Sequence, residues 1–491
     1  MCGATFMLLV DITIVQVALP RIERDLHATF TQLQWVIDAY ALTLAALVLT
    51  GGSIADYFGR RNVFAVGVSI FTLASLLCGI SQSGVQLDLA RAFQGIGGAI
   101  MFATALALIA QDFAGPARAT AIALWSATVG SAVAIGPVLG GALTDGLGWR
   151  WVFFVNLPIG VGVLAIVAAH MVNVRDPHAL RLDWAGLVTF SGSLFLLVFA
   201  LLRGNDEGWS SALIVSLLVG AALLLALFVA AELRQERPMF DLSLFHNRAF
   251  GGVSIATFAI GAGMFAVFPY LTLYLQNLLG LSPLQGGLRL LPSTVPVFLV
   301  PLVVRRFGSR IPPGVLLGLG LAITALGLLL MSRLHSDSHW TALLPGLILA
   351  GVGIGFANPS IALIALAVVP PNRSGMASGI SNTFRIGGLA CGVAGLGAVF
   401  QHQVQLRLSD SSRAVVGALL AGGPKAAAAR VPPSRRPEFL TTAHAAFVSG
   451  TVRLLLVGAV LVVIGSVTSF VLVRTRDLRH GQAAAAAPAT R

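Results

Sequence analysis

Long apolar runs separated by short polar links dominate the sequence. Each run holds the roughly 20 residues that a helix needs to cross a bilayer, at a rise of about 1.5 Å per residue. About fourteen such spans can be drawn in the 491-residue chain. Their approximate bounds are residues 4–20, 35–54, 63–82, 86–110, 119–143, 152–172, 184–202, 211–231, 250–275, 286–304, 313–331, 342–368, 377–400 and 447–473. The pattern predicts an all-α integral membrane protein.

The composition agrees with repeated membrane spans and excludes other classes. The chain is 57% hydrophobic and only 10% charged, whereas a soluble domain carries about 25% charged residues. A transmembrane barrel would instead show short segments of alternating polarity. The net charge of +12 would suggest nucleic acid in a soluble protein, but here the basic residues lie in loops between spans. We therefore expect membrane lipid as a partner and no nucleic acid.

Arginines in the loops predict the orientation of the spans. With the N-terminus in the cytoplasm, the cytoplasmic loops are rich in arginine and the short external loops are poor in it. The cytoplasmic set is Arg60, Arg61, Arg118, Arg175, Arg181, Arg234, Arg237, Arg248, Arg305, Arg306, Arg310 and Arg373. This predicts a multi-pass protein of the plasma (inner) membrane with both termini in the cytoplasm.

Three segments stand apart from the regular alternation of spans and short links. We interpret Met1 to Pro20 as a first membrane helix whose cytoplasmic lead-in is missing or trimmed, with a cleaved signal peptide as the alternative. Residues 401–446, rich in Ala and Pro, are predicted to be a long external loop with partial disorder. The Ala-rich tail, residues 480–491, is also predicted to be disordered.

Short motifs recur at an offset of about 250 residues, which indicates two related halves. Gly95-Ile96-Gly97, for example, recurs as Gly351-Val352-Gly353. We predict a six-helix bundle in residues 1–175 and a second in 248–479, with two additional spans in 176–247. Carriers built from two such halves bind their substrate between them.

The link between the second and third spans carries the most specific loop motif, Gly52-Ser-Ile-Ala-Asp56-Tyr-Phe-Gly59-Arg60-Arg61. Asp56 is able to accept hydrogen bonds from Arg60 or from a neighbouring helix N-terminus. The motif resembles the cytoplasmic loop signature of the major facilitator superfamily of secondary transporters. The resemblance implies the major facilitator fold and a role in conformational gating for Gly52, Asp56, Gly59, Arg60 and Arg61.

Asp11 and Asp38 are acids within predicted spans, where ionisable groups are expensive and are functional candidates. Asp11 begins the motif Asp11-Ile-Thr-Ile-Val-Gln16-Val-Ala-Leu-Pro20, and Asp38 lies in Gln34-Trp-Val-Ile-Asp38-Ala-Tyr40. Both stretches resemble signatures of the fourteen-span drug:proton antiporters, which implies proton or substrate contact. The alternative is that Asp11 only locks helix packing, or that Asp38 faces the outer mouth.

A lone cation and a glycine motif complete the resemblance to this family. Arg91 opens Arg91-Ala-Phe-Gln94-Gly-Ile-Gly-Gly-Ala99, similar to a motif linked to proton coupling. Since a guanidinium stays protonated, Arg91 is expected to act electrostatically, with neutralisation of Asp88 as the alternative. Gly136-Pro137-Val-Leu-Gly140-Gly141 resembles the family's antiporter motif, although close helix packing alone would also explain it. Trp149 to Pro158 is similar to the same branch, and we interpret it as an interfacial anchor.

The second half has no Asp or Glu within a predicted span, and Arg289 and Arg385 are cations within its spans. Some members of the family that this sequence resembles use an additional acid there to expel divalent organic cations, so the resemblance does not imply that specificity here. We expect five further polar residues to line the substrate cavity. These are Gln16, Gln94, Tyr270, Tyr274 and Asn358.

The sequence predicts a transporter and not an enzyme. It holds no phosphate-binding loop and no metal-ligand or catalytic constellation, so we expect no metal, no cofactor and a proton gradient as the energy source. We predict a monomeric, proton-coupled exporter of drugs or other small hydrophobic compounds. The alternatives are a dedicated exporter of one self-made metabolite or antibiotic, and a transporter-like sensor without transport.

Overall fold

Helices follow one another along nearly all of the chain that the computed structural model describes. The described residues are 1–112, 115–171, 183–235, 240–307, 311–368, 374–408 and 411–474. The helices are α1 (Cys2–Leu26), α2 (Phe30–Phe58), α3 (Arg60–Ile80), α4 (Gly84–Asp112), α5 (Gly115–Gly146), α6 (Trp151–Phe154), α7 (Asn156–His170), α8 (Trp184–Glu207), α9 (Ala212–Arg234), α10 (Arg248–Gly263), α11 (Phe268–Leu273), α12 (Pro283–Phe307), α13 (Pro313–Met331), α14 (Leu344–Ala367), α15 (Ser374–Arg407), α16 (Arg413–Ala428) and α17 (Arg436–Leu472).

The long helices coincide with the predicted spans. Among the described residues, 10 helical segments are long and apolar enough to cross a membrane. Four further long helices, α2, α4, α5 and α12, each cover a span that the sequence predicts. A bilayer core offers no water to pair with backbone N–H and C=O groups. A helix suits this environment because it pairs these groups within itself along its length. The prediction of an all-α membrane protein with about fourteen spans is confirmed.

The segment predicted as a long, partly disordered loop is largely helical. Helix α15 continues to Arg407, and α16 covers residues 413–428. Val415, Val416, Leu419 and Leu420 are buried, and their spacing gives α16 one apolar face. The loop prediction for residues 401–446 is therefore wrong for α16, which has a packed apolar face but no run long enough to read as a span. The tail at 480–491 lies outside the described residues.

Two groups of helices pack mainly among themselves. In the first, α1 packs on α5, α4 on α2 and α3, and α3 on α7. In the second, α13 packs on α14 and α17, and α10 on α15 and α17. Helices α8 and α9 form a hairpin, and α8 touches α2 of the first half and α15 of the second. The exact domain boundaries at residues 175 and 248 stay a prediction.

Candidate substrate cavity and buried acids

A cavity lies between the two halves and is lined by both. It encloses about 990 Å³ of space free of protein atoms, counting its open mouth. The first half contributes side chains from α1, α2, α4 and α5, and the second from α12, α14, α15 and the region around α11. The lining residues are Leu8, Leu9, Ile12, Thr13, Gln16, Leu44, Phe102, Pro137, Phe265, Phe268, Thr294, Val297, Asn358, Arg385, Ile386 and Leu389.

The cavity wall is mostly apolar, with a few polar groups. Its polar lining residues are Thr13, Gln16, Thr294, Asn358 and Arg385. Apolar walls with a small number of polar groups are typical of sites for small organic molecules. Of the five residues expected to line a cavity, Gln16 and Asn358 line this one. Gln94, Tyr270 and Tyr274 do not belong to its lining.

Asp11 faces away from the cavity, into the packed interior of the first half. Its carboxylate is fully buried and forms an ion pair with Nη1 of Arg91, which lies on α4 and is only 1% exposed. Gln94 Nε2 and Asn156 Nδ2 donate to Asp11 Oδ1 at 2.8 and 3.0 Å. Three donors from α4 and α7 therefore surround one carboxylate, which is the arrangement that stabilises a buried ion pair.

The surroundings of Arg91 extend this polar cluster. Its Nε donates to the backbone oxygen of Val36 at 2.9 Å, and Nη1 donates to Gln94 Oε1 at 2.7 Å. The guanidinium also lies over the ring of Tyr40, 4.2 Å from the ring centroid. Helices α1, α2, α4 and α7 thus meet at one saturated network. The family resemblance singled out Arg91 and Asp11 separately, without showing that they pair.

Asn156 is a member of this cluster that the sequence reading assigned to an interfacial anchor. Its Nδ2 also donates to Ser75 Oγ on α3 at 3.0 Å, and Ser75 donates in turn to the backbone oxygen of Phe153 at 2.9 Å. The signal that was available is a buried amide inside an apolar run, because such a group needs internal partners. Asn156 is therefore a packing residue of the first half rather than a surface anchor.

Asp38 has the opposite environment. It is fully buried on α2, and neither carboxylate oxygen has a hydrogen-bond partner among the described residues. Helix α2 packs on α15 of the second half, and Gln34, one turn before Asp38 on α2, donates to Tyr270 and Val393 of that half. Asp38 therefore lies at the seam between the halves.

Four side-chain hydrogen bonds join the halves toward the end that the topology prediction places outside. Gln34 Nε2 donates to Tyr270 Oη at 3.0 Å and to the backbone oxygen of Val393 at 3.2 Å. Gln276 Nε2 donates to the backbone oxygen of Val17 at 2.8 Å, and Ser282 Oγ contacts Asp145 Oδ2 at 2.9 Å. Tyr270 also donates to Val393, and Tyr274 begins a buried π-helical turn next to it. The two tyrosines belong to this outer seam.

The glycines of α5 allow two close helix contacts. A Cβ at Gly140 would lie 2.7 Å from the backbone oxygen of Ile14 on α1. On the other side, the backbone oxygen of Pro137 would lie 2.2 Å from a Cβ at Gly287 on α12. Gly141 approaches Pro283 of α12, and Gly136 approaches Thr13 of α1, in the same way. The Gly136–Gly141 motif thus packs one helix of its own half and one helix of the other half.

Comparison with known proteins identifies the family to which this architecture belongs. The profile of the Major Facilitator Superfamily matches residues 1–395. The chain belongs to the Major Facilitator Superfamily. Among solved structures it is similar to a bacterial homologue of the human lysosomal transporter Spinster, described as inward-facing and unoccupied. That likeness has a TM-score of 0.63 at 17% identity, covers 98% of this chain and 96% of the other, and concerns the fold.

Curated relatives in this superfamily carry names of drug and antibiotic resistance. The chain is 39% identical to the multidrug resistance protein Stp of Mycobacterium tuberculosis, over 80% of this chain and 73% of the relative. It is 37% identical to the puromycin resistance protein of Streptomyces alboniger, over 83% of this chain and 82% of the relative. It is also 33% identical to the tetracenomycin C resistance and export protein of Streptomyces glaucescens, over 81% and 74%. The predicted relation to drug-efflux members is confirmed.

The superfamily loop motif forms the tight turn between α2 and α3. Gly59 connects the two helices with a φ of 98°, a conformation that favours glycine. Arg60 begins α3, and Arg61 donates from Nη2 to the backbone oxygen of Ala168 at 3.0 Å and from Nε to that of Val167 at 3.3 Å. Gly52 and Asp56 belong to α2, but their side-chain surroundings lie outside the described part of the chain. The gating role of the motif stays a prediction.

No metal centre is apparent in the described residues. They contain no group of three or more His, Cys, Asp or Glu side chains that would hold an ion. The superfamily consists of transporters and not enzymes, which agrees with the predicted non-enzymatic function. The candidate functional side chains among the described residues are the lining of the cavity, the Asp11 cluster and the seam at Asp38.

Proposed function

We propose that the protein exports small, mostly hydrophobic compounds across the plasma (inner) membrane in exchange for protons, by alternating access. The observation that carries this proposal is the buried Asp38 at the seam between the halves, whose carboxylate has no hydrogen-bond partner among the described residues. The two halves also line one cavity. A carrier of this kind moves its substrate when the halves rock against each other. A titratable group in the seam is then exposed and covered once in each cycle.

Asp38 is the group that we assign to proton exchange. An ionised carboxylate without a partner inside the membrane costs several kcal/mol, whereas a protonated one carries no charge. The closed seam is therefore compatible with a bound proton. Opening of the outer contacts between Gln34, Tyr270 and Val393 would admit water and change the proton affinity of Asp38. Proton binding and seam closure are coupled in this scheme.

Asp11 and Arg91 have a different function in the proposal. Their ion pair, together with Gln94 and Asn156, ties α1, α4 and α7 into one unit. We assign to this cluster the rigidity that lets the first half move as a body. Its carboxylate already has charged and neutral donors, so it does not need a proton to remain buried.

The direction of transport and the class of substrate rest on the relatives and on the cavity. Proteins named for drug resistance and antibiotic export align with more than three quarters of this chain. The mostly apolar wall suits hydrophobic compounds. Names that specify a single antibiotic also favour the second candidate, a dedicated exporter of one metabolite. A panel of unrelated drugs separates the two, because a dedicated exporter confers resistance to one chemical family only.

Drug-driven proton release from everted vesicles tests the coupling. A growth-inhibition panel in an efflux-deficient host, with and without a protonophore, first identifies an exported drug. Addition of that drug to acidified everted vesicles is expected to release protons with the wild type and not with Asp38→Asn. Asp11→Asn is expected to retain release in proportion to the amount of folded protein. Unchanged release with Asp38→Asn would contradict the assignment, and resistance that ignores the protonophore would contradict proton coupling.

We further propose a monomer whose two termini lie in the cytoplasm. The excess of arginine in the loops on that side supports the orientation. A protease site added at the C-terminus is expected to be cut in everted vesicles and protected in intact spheroplasts. The opposite pattern of cleavage would contradict this orientation. A yield of crosslinked dimer that stays constant when the protein is diluted with lipid would contradict the monomer.

A further inference from the structure

One cation lies in the wall of the substrate cavity. Arg385, on α15, lines the cavity together with Ile386 and Leu389 of the same helix. The other lining residues are apolar, hydroxyl or amide side chains, and none of them is acidic. The described wall therefore carries one positive charge and no negative charge.

No carboxylate among the described residues neutralises this cation. Nη2 of Arg385 donates to Asn382 Oδ1 at 2.6 Å, but no carboxylate of the described residues lies within ion-pair distance. The sequence offers few candidates in the second half. From residue 242 to residue 474 the acidic residues are Asp337, Asp410 and Glu438, and all three lie outside the spans that the sequence predicts.

Arg91 and Arg289 show how the chain accommodates an arginine within a helix when that arginine does not line the cavity. Arg91 is paired with Asp11. Arg289, on α12, lies 5.1 Å from the ring centroid of Trp340 and donates to the backbone oxygen of Gln285 at 3.1 Å. Neither belongs to the lining of the cavity. Arg385 differs from both because it belongs to the lining of the cavity and has no carboxylate partner among the described residues.

A guanidinium within the membrane is costly, and it cannot lose its charge by deprotonation. It has five N–H donors in a planar fork that matches the two oxygens of a carboxylate or sulfonate. We propose that the cavity binds amphiphilic anions, and that Arg385 pairs with the acidic group of the transported compound. This inference rests on the proposed export function and specifies its substrate class.

The apolar wall fits the remainder of such a compound. Phe102 of the first half and Phe265 and Phe268 of the second provide aromatic surface, and Gln16 and Asn358 provide neutral hydrogen-bonding groups. Electrostatics then separates substrates of equal size and hydrophobicity. The anion gains a charge-assisted hydrogen bond, the neutral compound does not, and a cation is repelled by an unscreened like charge.

Two fluorescent probes of one scaffold test this selectivity. 8-Anilino-1-naphthalenesulfonate carries a sulfonate, and N-phenyl-1-naphthylamine is its uncharged counterpart. Binding of each probe to the full-length protein in nanodiscs of zwitterionic lipid is titrated, with empty nanodiscs subtracted. The measured quantity is the ratio of the affinity for the sulfonate to the affinity for the neutral probe. We expect this ratio to be at least about tenfold higher in the wild type than in Arg385→Gln, since hydrogen bonds to charged groups are strong.

Matched variants separate a local pairing from a change in net charge. Arg289→Gln removes the same charge from the second half outside the cavity and is expected to leave both affinities within about twofold. Arg385→Gln is expected to weaken binding of the sulfonate only, so binding of the neutral probe reports that the variant is folded. Arg385→Lys keeps the charge but loses the planar fork, and an intermediate preference is expected.

Three results would overturn the inference. The first is an equal loss of affinity for both probes in Arg385→Gln. The second is a loss of affinity for the sulfonate in Arg289→Gln as large as that in Arg385→Gln. The third is a wild type whose preference for the sulfonate over the neutral probe is the same as that of Arg385→Gln. Drug-driven proton release with any of these results would leave the export proposal standing. Selective loss of sulfonate binding in a protein that never releases protons would instead support the anion site and contradict coupled export.

Discussion

Two buried acids of the same half, Asp11 and Asp38, show how differently one fold treats a carboxylate. Asp11 has a guanidinium and two amides as partners and lies among the packed helices of the first half. Asp38 has no hydrogen-bond partner in the part of the chain that the structure describes, and it lies where one half meets the other. A saturated network resists change, whereas an unsatisfied group at a movable contact responds to water and protons. Burial alone therefore does not identify the acid that couples transport.

The same contrast separates the two halves. The first half holds both of these acids, while the described cavity wall takes its one charge, Arg385, from the second half. In the proposed mechanism, proton exchange at Asp38 belongs to one half and recognition of the substrate charge at Arg385 to the other, across a shared seam. Coupling between them requires only that both sites depend on whether that seam is open.

The largest effect on stability is expected from breaking the ion pair at Asp11. Arg91→Leu would leave the carboxylate buried without its cation, which typically costs about 3–5 kcal/mol. We expect a large fall in the apparent Tm of the purified protein and a low yield of folded material. The measurement is thermal unfolding in detergent, monitored by loss of the monodisperse peak.

Arg289→Leu is the control for that experiment, because Arg289 has no carboxylate partner among the described residues. The double variant Asp11→Asn with Arg91→Gln should recover part of the stability that Arg91→Leu loses, since no charge is then left unpaired. An Arg91→Leu protein as stable as the wild type would mean that the cluster does not hold the first half together.

Glycine-to-alanine substitutions are expected to distinguish the seam from the interior of a half. Their cost in stability should be intermediate. A Cβ at Gly287 would lie 2.2 Å from the backbone oxygen of Pro137 across the seam, and a Cβ at Gly97 would lie 2.4 Å from the backbone nitrogen of Phe71 inside the first half. Overpacking of this kind costs about 1–3 kcal/mol. In Gly287→Ala, the halves should move apart and thereby relieve the overpacking. In Gly97→Ala, the overpacking should remain and lower the Tm.

Crosslinking across the outer end and thermal unfolding, measured on both variants, distinguish these outcomes. Gly395→Ala is the neutral control, because a Cβ there would meet no atom within 4 Å. Equal loss of Tm in Gly287→Ala and Gly97→Ala would show that the α5–α12 contact is as rigid as the interior of a half.

A smaller effect is expected from the hydrogen bonds that close the outer seam. Tyr270→Phe removes the hydroxyl that accepts from Gln34 and donates to Val393. A net loss of about 1 kcal/mol would shift the population toward the open seam by about fivefold. Distances between spin labels at His27 and Ser434, in a background without the native cysteines, report this shift. Tyr274→Phe serves as control, and an unchanged distance distribution in Tyr270→Phe would exclude this contact as a latch.

The sequence was sufficient for the fold because long apolar runs have few alternatives in a membrane. It also marked Asp11, Asp38 and Arg91 as candidates, since charges within spans are rare and conspicuous. It did not reveal which of them pair. Residues 11 and 91 lie on different helices, and the face of a membrane helix that points inward is only weakly marked when its neighbours and the lipid are equally apolar.

The errors have the same physical origin. Gln94 was expected in the cavity, yet it completes the network of Asp11 and Arg91. Asn156 was interpreted as part of an anchor because the aromatic residues around it are typical of a membrane interface. Arg385 was noted as a cation within a span, but its position at the cavity depends on the rotation of α15, which only packing determines. Helix α16 was missed because it is short and rich in Ala and Gly.

The smallest effect on stability is expected at the site with the largest proposed effect on transport. Asp38→Asn replaces a carboxyl that has no hydrogen-bond partner in the described residues by an amide of nearly equal volume. No contact is lost, so we expect a change in stability below about 1 kcal/mol. Thermal unfolding of this variant should overlay that of the wild type, while drug-driven proton release is absent. A marked fall in Tm would show instead that Asp38 is held by partners in the resting protein, and its unpaired state would no longer support the assignment as proton carrier.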